Sequence, residues 1–117
     1  MVRKKTVYRG TVLEDEKLIA SYKEDAIIIT TTFLSTSPER SVAEAYAADF
    51  IGDKISILCI YNINNTDRRT ALDLHDLANF KDEEEILILR YVPFTIKSCK
   101  KTHDGRRIII CFEECED

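Results

Sequence analysis

Glycine and proline are scarce in this chain, three and two among 117 residues, and no segment repeats or falls into low complexity. That composition excludes collagen-like and linker-like classes and gives no support for a disordered tail. No apolar run reaches the roughly eighteen residues that a membrane-spanning helix needs, so no membrane partner is expected. Positive charge is also short. Seventeen Lys and Arg against 21 Asp and Glu leave a net charge of -4 and a pI near 5.2, which argues against a nucleic-acid partner held by phosphate neutralisation. The basic clusters Arg3-Lys4-Lys5, Arg68-Arg69, Lys100-Lys101 and Arg106-Arg107 are short and scattered and read as solvated ends of strands and loops, though Arg68-Arg69 could touch a phosphate. Four cysteines lack metal spacing: Cys111 and Cys115 have three residues between them and no histidine nearby, so no metal is expected. The basic N-terminus leads into a polar strand rather than an apolar leader, and a cytoplasmic, reducing location is the expectation.

What is present suits one globular domain over residues 1–117, with 44% hydrophobic and 32% charged residues. Strand-like runs dominate: Thr6 to Gly10, Ala26 to Thr30, Ile55 to Ile63, Ile86 to Tyr91, Phe94 to Cys99 and Arg107 to Phe112. In the third, Ile55, Ile57, Cys59, Tyr61 and Ile63 alternate onto one face, and Cys59 reads as a small buried hydrophobe. Ile108-Ile109-Ile110 is continuous and could be buried on both faces. Helices are predicted over Glu14 to Tyr22, Pro38 to Phe50 and Ala71 to Asn79. In the middle one Ser37 can cap, Pro38 suits the first turn, and Val42, Ala45, Tyr46 and Phe50 recur at helical spacing before Gly52-Asp53 closes it. His103-Asp104-Gly105 signals a hairpin turn, and loops 64–70 and 79–84 should be polar and exposed. Few strands are separated by helices. The fold class expected is therefore α+β: two small, mainly antiparallel sheets flanking a cleft, with a few short helices.

Three segments carry chemistry. In Asp82-Glu83-Glu84-Glu85-Ile86, an extended backbone would put Glu83 and Glu85 on one face, a concentration of like charge that a cation would relieve. Taken alone, such a run before an apolar strand is also what a solvated loop or an aggregation gatekeeper looks like. Arg9, at the end of the first strand run, offers a planar guanidinium suited to a pyrophosphate or a ribose diol, and Gly10 lets a backbone approach a ligand; an ordinary strand-end arginine is the plain alternative. Phe33-Leu34-Ser35-Thr36-Ser37 leads hydroxyls into the capped helix. Ser37 reads as structural, while Ser35 could hold a carboxylate or a ribose hydroxyl.

In this order, Tyr8-Arg9-Gly10, Phe33-Leu34-Ser35-Thr36-Ser37 and Glu83-Glu84-Glu85-Ile86-Leu87-Ile88 resemble the arginine-specific mono-ADP-ribosyltransferases, over roughly residues 6–112. The resemblance implies an enzyme that moves ADP-ribose from NAD, its substrate, to an arginine-bearing protein target, with NAD hydrolysis as a companion reaction. It implies that Arg9 holds the nicotinamide-side ribose and phosphate, that Gly10 offers backbone bonds to the nicotinamide amide, and that Ser35 orients the catalytic Glu85. Glu83 would engage the target arginine. Tyr46 is the aromatic expected to stack on nicotinamide, with Phe33 and Phe50 as further candidates. Family members carry a helical segment ahead of the first motif, whereas Met1 to Lys5 precede it here, which leaves a fragment, a minimal enzyme or an inactive remnant open; a partner chain or a second copy could complete the NAD side. The alternative reading is a catalytically inactive domain of the same fold that binds a nucleotide or a protein.

Overall fold

A computed structural model describes residues 5–13, 23–48, 55–64, 70–73, 86–101 and 107–115. These form two sheets and a helix: β1 (Lys5–Leu13), β2 (Ile27–Ile29), β3 (Leu34–Thr36), α1 (Arg40–Ala48), β4 (Ile55–Ile63), β5 (Ala71–Asp73), β6 (Ile86–Ile88), β7 (Pro93–Lys101) and β8 (Arg107–Glu114). The larger sheet has the order β1-β4-β8-β7-β2 and the smaller the order β3-β6-β5. All neighbours run antiparallel except β4 and β8, in line with the expected mainly antiparallel α+β architecture.

The two-residue period of the strands builds the core. On β4 the five alternating residues Ile55, Ile57, Cys59, Tyr61 and Ile63 are all buried, as the sequence predicts, and meet Val7, Ile108, Ile110, Phe112, Ile96 and Phe94 from the flanking strands. Tyr61 stacks on Phe112 at 4.7 Å between ring centroids and takes Phe94 edge-on at 5.2 Å, the two geometries that suit aromatic quadrupoles. Ile86, Ile88 and Ala71 of the smaller sheet join the same cluster. The opposite face of β4 carries Leu58, 1% exposed, and α1 packs on that side of the sheet through buried Ala43.

Several expectations need correction. Ala71–Asp73 is a strand, not the start of a helix, because pairing with β6 buries Ala71 completely and outweighs local helix preference. Val42 and Ala45 of the predicted apolar spacing are exposed; among the described side chains of α1 the buried one is Ala43, whose small size suits a close approach to the sheet. The helix is assigned from Arg40 rather than Pro38. Ile108-Ile109-Ile110 alternates, its middle residue half-buried, since the helix covers only part of the outer face. Asn64 and Thr70 are not exposed loop residues: Asn64 donates its backbone N–H to the Glu114 carboxylate at 2.9 Å and its amide to Glu113 at 3.1 Å, and Thr70 is buried. The predicted helix 14–22, Phe50, Gly52-Asp53, the turn at 103–105 and the loop 79–84 lie outside the described residues.

β6 ends at Ile88, before the predicted Tyr91, because the chain turns sharply there around Thr30. The Thr30 hydroxyl donates to the Leu89 carbonyl at 2.8 Å and accepts the Val92 N–H at 2.9 Å, while its backbone exchanges bonds with Tyr91 and Val92. Tyr91 sits at φ 63, a left-handed conformation uncommon outside glycine. Thr30 is 5% exposed, so these bonds are made out of water. Thr30→Val keeps the shape and strands the Val92 N–H; denaturant unfolding should show a loss of about 1–3 kcal/mol.

Candidate active site

Hydrogen bonds bring the three sequence motifs to one place. Tyr8 and Ser37 exchange backbone bonds, Tyr8 N–H to the Ser37 carbonyl at 2.8 Å and Ser37 N–H to the Tyr8 carbonyl at 2.9 Å, and so tie the edge of the larger sheet to the end of β3. One residue along, the Arg9 guanidinium donates through Nη1 to the Ser35 carbonyl at 3.0 Å. The third motif joins through β6. Thr36 pairs with Ile86, the residue after Glu85 in the chain, and the buried Thr36 hydroxyl donates to the Ile86 carbonyl at 2.5 Å.

Arg9 lies in the middle of a nine-residue strand rather than at its end. It pairs with Cys59 and shares a face with Val7, which is the inner face of the sheet. Gly10 lies opposite Leu58. Its backbone is the informative part. In an antiparallel pair, residues two apart direct their N–H and C=O the same way, and those of Tyr8 point away from β4, to Ser37. The N–H and C=O of Gly10 therefore point to the same open edge, where no described residue bonds to them.

Ser35 is exposed on β3, opposite Leu87, and Phe33, just ahead of the strand, is exposed as well. Leu87 follows Glu85 by two positions. Ser37 is structural as expected: its hydroxyl accepts the Glu39 N–H at 3.1 Å just ahead of α1. Tyr46 lies in α1, but its side chain is outside the described set, as are Glu83 and Glu85.

The helix is fixed to the far end of the sheet by Glu44, whose Oε1 accepts Arg40 Nε at 2.8 Å and Arg107 at 3.0 Å. The Arg40 hydrogen bond, helped by the charge of Arg107, holds the half-buried Glu44 carboxyl below the usual carboxylate range. This three-residue contact, which the sequence reading did not single out, is signalled only in part by the i, i+4 spacing of Arg40 and Glu44; the Arg107 contact needs the fold.

Burial pushes the Cys59 thiol beside Arg9 up to about 11, the Tyr61 hydrogen bond and the Arg9 charge pulling weakly the other way. At pH 8 it is therefore a neutral thiol, whereas the thiolate is the nucleophile. Iodoacetamide at pH 8, followed by mass spectrometry, should label half-buried Cys111 and Cys115 well before Cys59, and all at similar rates once the chain is unfolded.

The family model for ADP-ribosyltransferase exoenzymes matches residues 4–114. No curated protein sequence matches the chain. Among solved structures, the Vis toxin, an ADP-ribosyltransferase from Vibrio splendidus, superposes with a TM-score of 0.73 at 23% identity, over 96% of this chain and 48% of that one. A second Vis structure holds agmatine, with a TM-score of 0.74 at 23% identity over 96% of this chain and 49% of Vis. Exoenzyme S from Pseudomonas aeruginosa, bound to human 14-3-3 protein beta and carba-NAD, gives 0.68 at 18% identity over 98% of this chain and 50% of that one. The chain spans about half the length of these structures.

Proposed function

The chain belongs to the ADP-ribosyltransferase exoenzyme family, and we propose that it moves a single ADP-ribose unit from NAD to arginine side chains of a protein target, releasing nicotinamide and hydrolysing some NAD. The reading treats residues 1–117 as one catalytic domain with NAD in a cleft between the two sheets. The observation that carries it is the joining of the three motifs: Tyr8 to Ser37, Arg9 to the Ser35 carbonyl, and Thr36 to Ile86, the residue next to Glu85. Agmatine, present in a Vis structure, is an arginine without its carboxyl group and supports the choice of acceptor.

In this reading the open edge of Gly10 receives the nicotinamide amide, a group with one acceptor and two donors that matches a backbone N–H and C=O together. Arg9 is anchored through one of its N–H groups to Ser35 and turns its positive charge toward the ribose and phosphate. Loss of nicotinamide leaves positive charge on the sugar, as in glycoside hydrolysis, and Glu85, oriented by Ser35, stabilises it. A guanidinium is protonated at ordinary pH and is a poor nucleophile. Glu83 binds it and takes a proton as the new C–N bond forms. Tyr46 stacks on nicotinamide from α1.

The second reading is a non-catalytic module of the same fold that binds a nucleotide or a protein. Labelled NAD with agmatine separates the two. Glu85→Gln should lower both transfer and nicotinamide release by about two to three orders of magnitude, the scale of losing a stabilising group at developing charge. Glu83→Gln should lower transfer alike and leave NAD hydrolysis. Undiminished activity in both variants, or no label on agmatine with the wild-type chain, would sink the transferase reading.

A further inference from the structure

The sharp turn after β6 presents a cluster that the proposed chemistry does not use. Arg90 places its guanidinium carbon 5.4 Å from the ring centroids of both Phe33 and Tyr91. Both rings are open to solvent, Phe33 49% and Tyr91 67% exposed, and Arg90 is exposed as well. No described carboxylate pairs with Arg90. The support beneath it is rigid: four hydrogen bonds to buried Thr30 and one from the Leu89 N–H to the Thr70 carbonyl hold the turn, and Tyr91 keeps its left-handed backbone. A core would hide these rings, and a plain solvated turn would need neither ring. Arginine and tyrosine, held in place and open to solvent, are instead the residue types that dominate protein–protein hot spots.

We propose that Phe33, Arg90 and Tyr91 form a docking surface for an acidic segment of the protein whose arginine is modified. Charge complementarity selects the occupant. In a chain of net charge -4, this guanidinium lies over aromatic faces and meets no carboxylate among the described residues, which leaves its planar fork for a carboxylate on the partner. Position selects its purpose. Phe33 precedes Ser35 by two residues, about 7 Å away along an extended chain, and both are exposed. An acidic side chain held there belongs to the segment that offers its arginine to the candidate site. The proposal rests on the transferase reading for the identity of the partner, but the contact itself can be measured without turnover.

The test uses the whole chain and three short fluorescent peptides, each with one arginine flanked by glutamates, serines or lysines. Anisotropy without NAD reads docking, and transfer to agmatine at saturating NAD reads the site. The glutamate peptide should bind about tenfold more tightly than the serine peptide, a difference that salt weakens. Arg90→Ala should erase that preference and leave agmatine transfer unchanged, whereas Arg90→Glu should turn it toward the lysine peptide, which an unfolded variant would not do. An Arg90-dependent preference in a chain that leaves agmatine unmodified upholds the docking surface while the transferase reading falls. The same glutamate preference in wild type and Arg90→Ala, or none in wild type, overturns the docking surface even where agmatine is modified.

Discussion

The paired backbone bonds between Tyr8 and Ser37 are the constraint on which the rest of this structure depends. Each sheet satisfies its own interior ladders, but the candidate site exists only where one sheet is held against the other. A side-chain contact would fix that junction loosely. Two reciprocal amide bonds fix its register as a strand pair does, and every nearby group then follows from the two-residue period. Tyr8 is spent on the junction, Arg9 turns to the inner face and reaches the Ser35 carbonyl, and Gly10 keeps an edge to which no described residue bonds. Shifting the register by one residue would turn Arg9 toward the helix and bring Tyr8 inward.

The buried polar groups reinforce the same junction. Thr36 is nearly inaccessible, and its hydroxyl bonds to the Ile86 carbonyl across the strand pair; Thr30 closes the far end of β6 with its own hydroxyl. A hydroxyl has one proton to give and lone pairs to receive, so a threonine can satisfy a strand end where backbone pairing stops without adding a charge to the interior. The small sheet, only three residues to a strand, is thus pinned at both ends of its middle member. Short ladders are weak alone, and these bonds, with Ile86 and Ile88 in the shared core, offset that weakness.

The sequence displayed the architecture where one physical signal acted alone. β4 reads correctly from Ile55 to Ile63 because strict alternation and a buried face demand the same residues. The order of the three motifs likewise led to the family that the match over residues 4–114 shows. What stayed hidden depended on partners distant in the chain. Ala71 reads as helical by preference until β6 pairs with it, and Ala43 is invisible as the buried contact of α1 because a small residue leaves no mark in a hydrophobic pattern. The union of Arg9 with a carbonyl 26 positions away is not visible in spacing at all. Nor is the Arg90 cluster, since nothing in Arg90-Tyr91 announces that Phe33 will lie beside it.

The parallel pairing of β4 with β8 has a consequence in time. β8 is the last of the described strands, yet it occupies the middle of the five-stranded sheet, with β4 on one side and β7 on the other. A nascent chain leaving the ribosome therefore carries β1 and β4 as one hairpin-like half and β2 and β7 as another, with an unfilled lane between them until residues 107–114 emerge. Tyr61 waits for Phe112, and the greasy faces of both halves stay open meanwhile. Closure is a long-range event, the kind that slows folding and keeps apolar surface open until the sheet is complete.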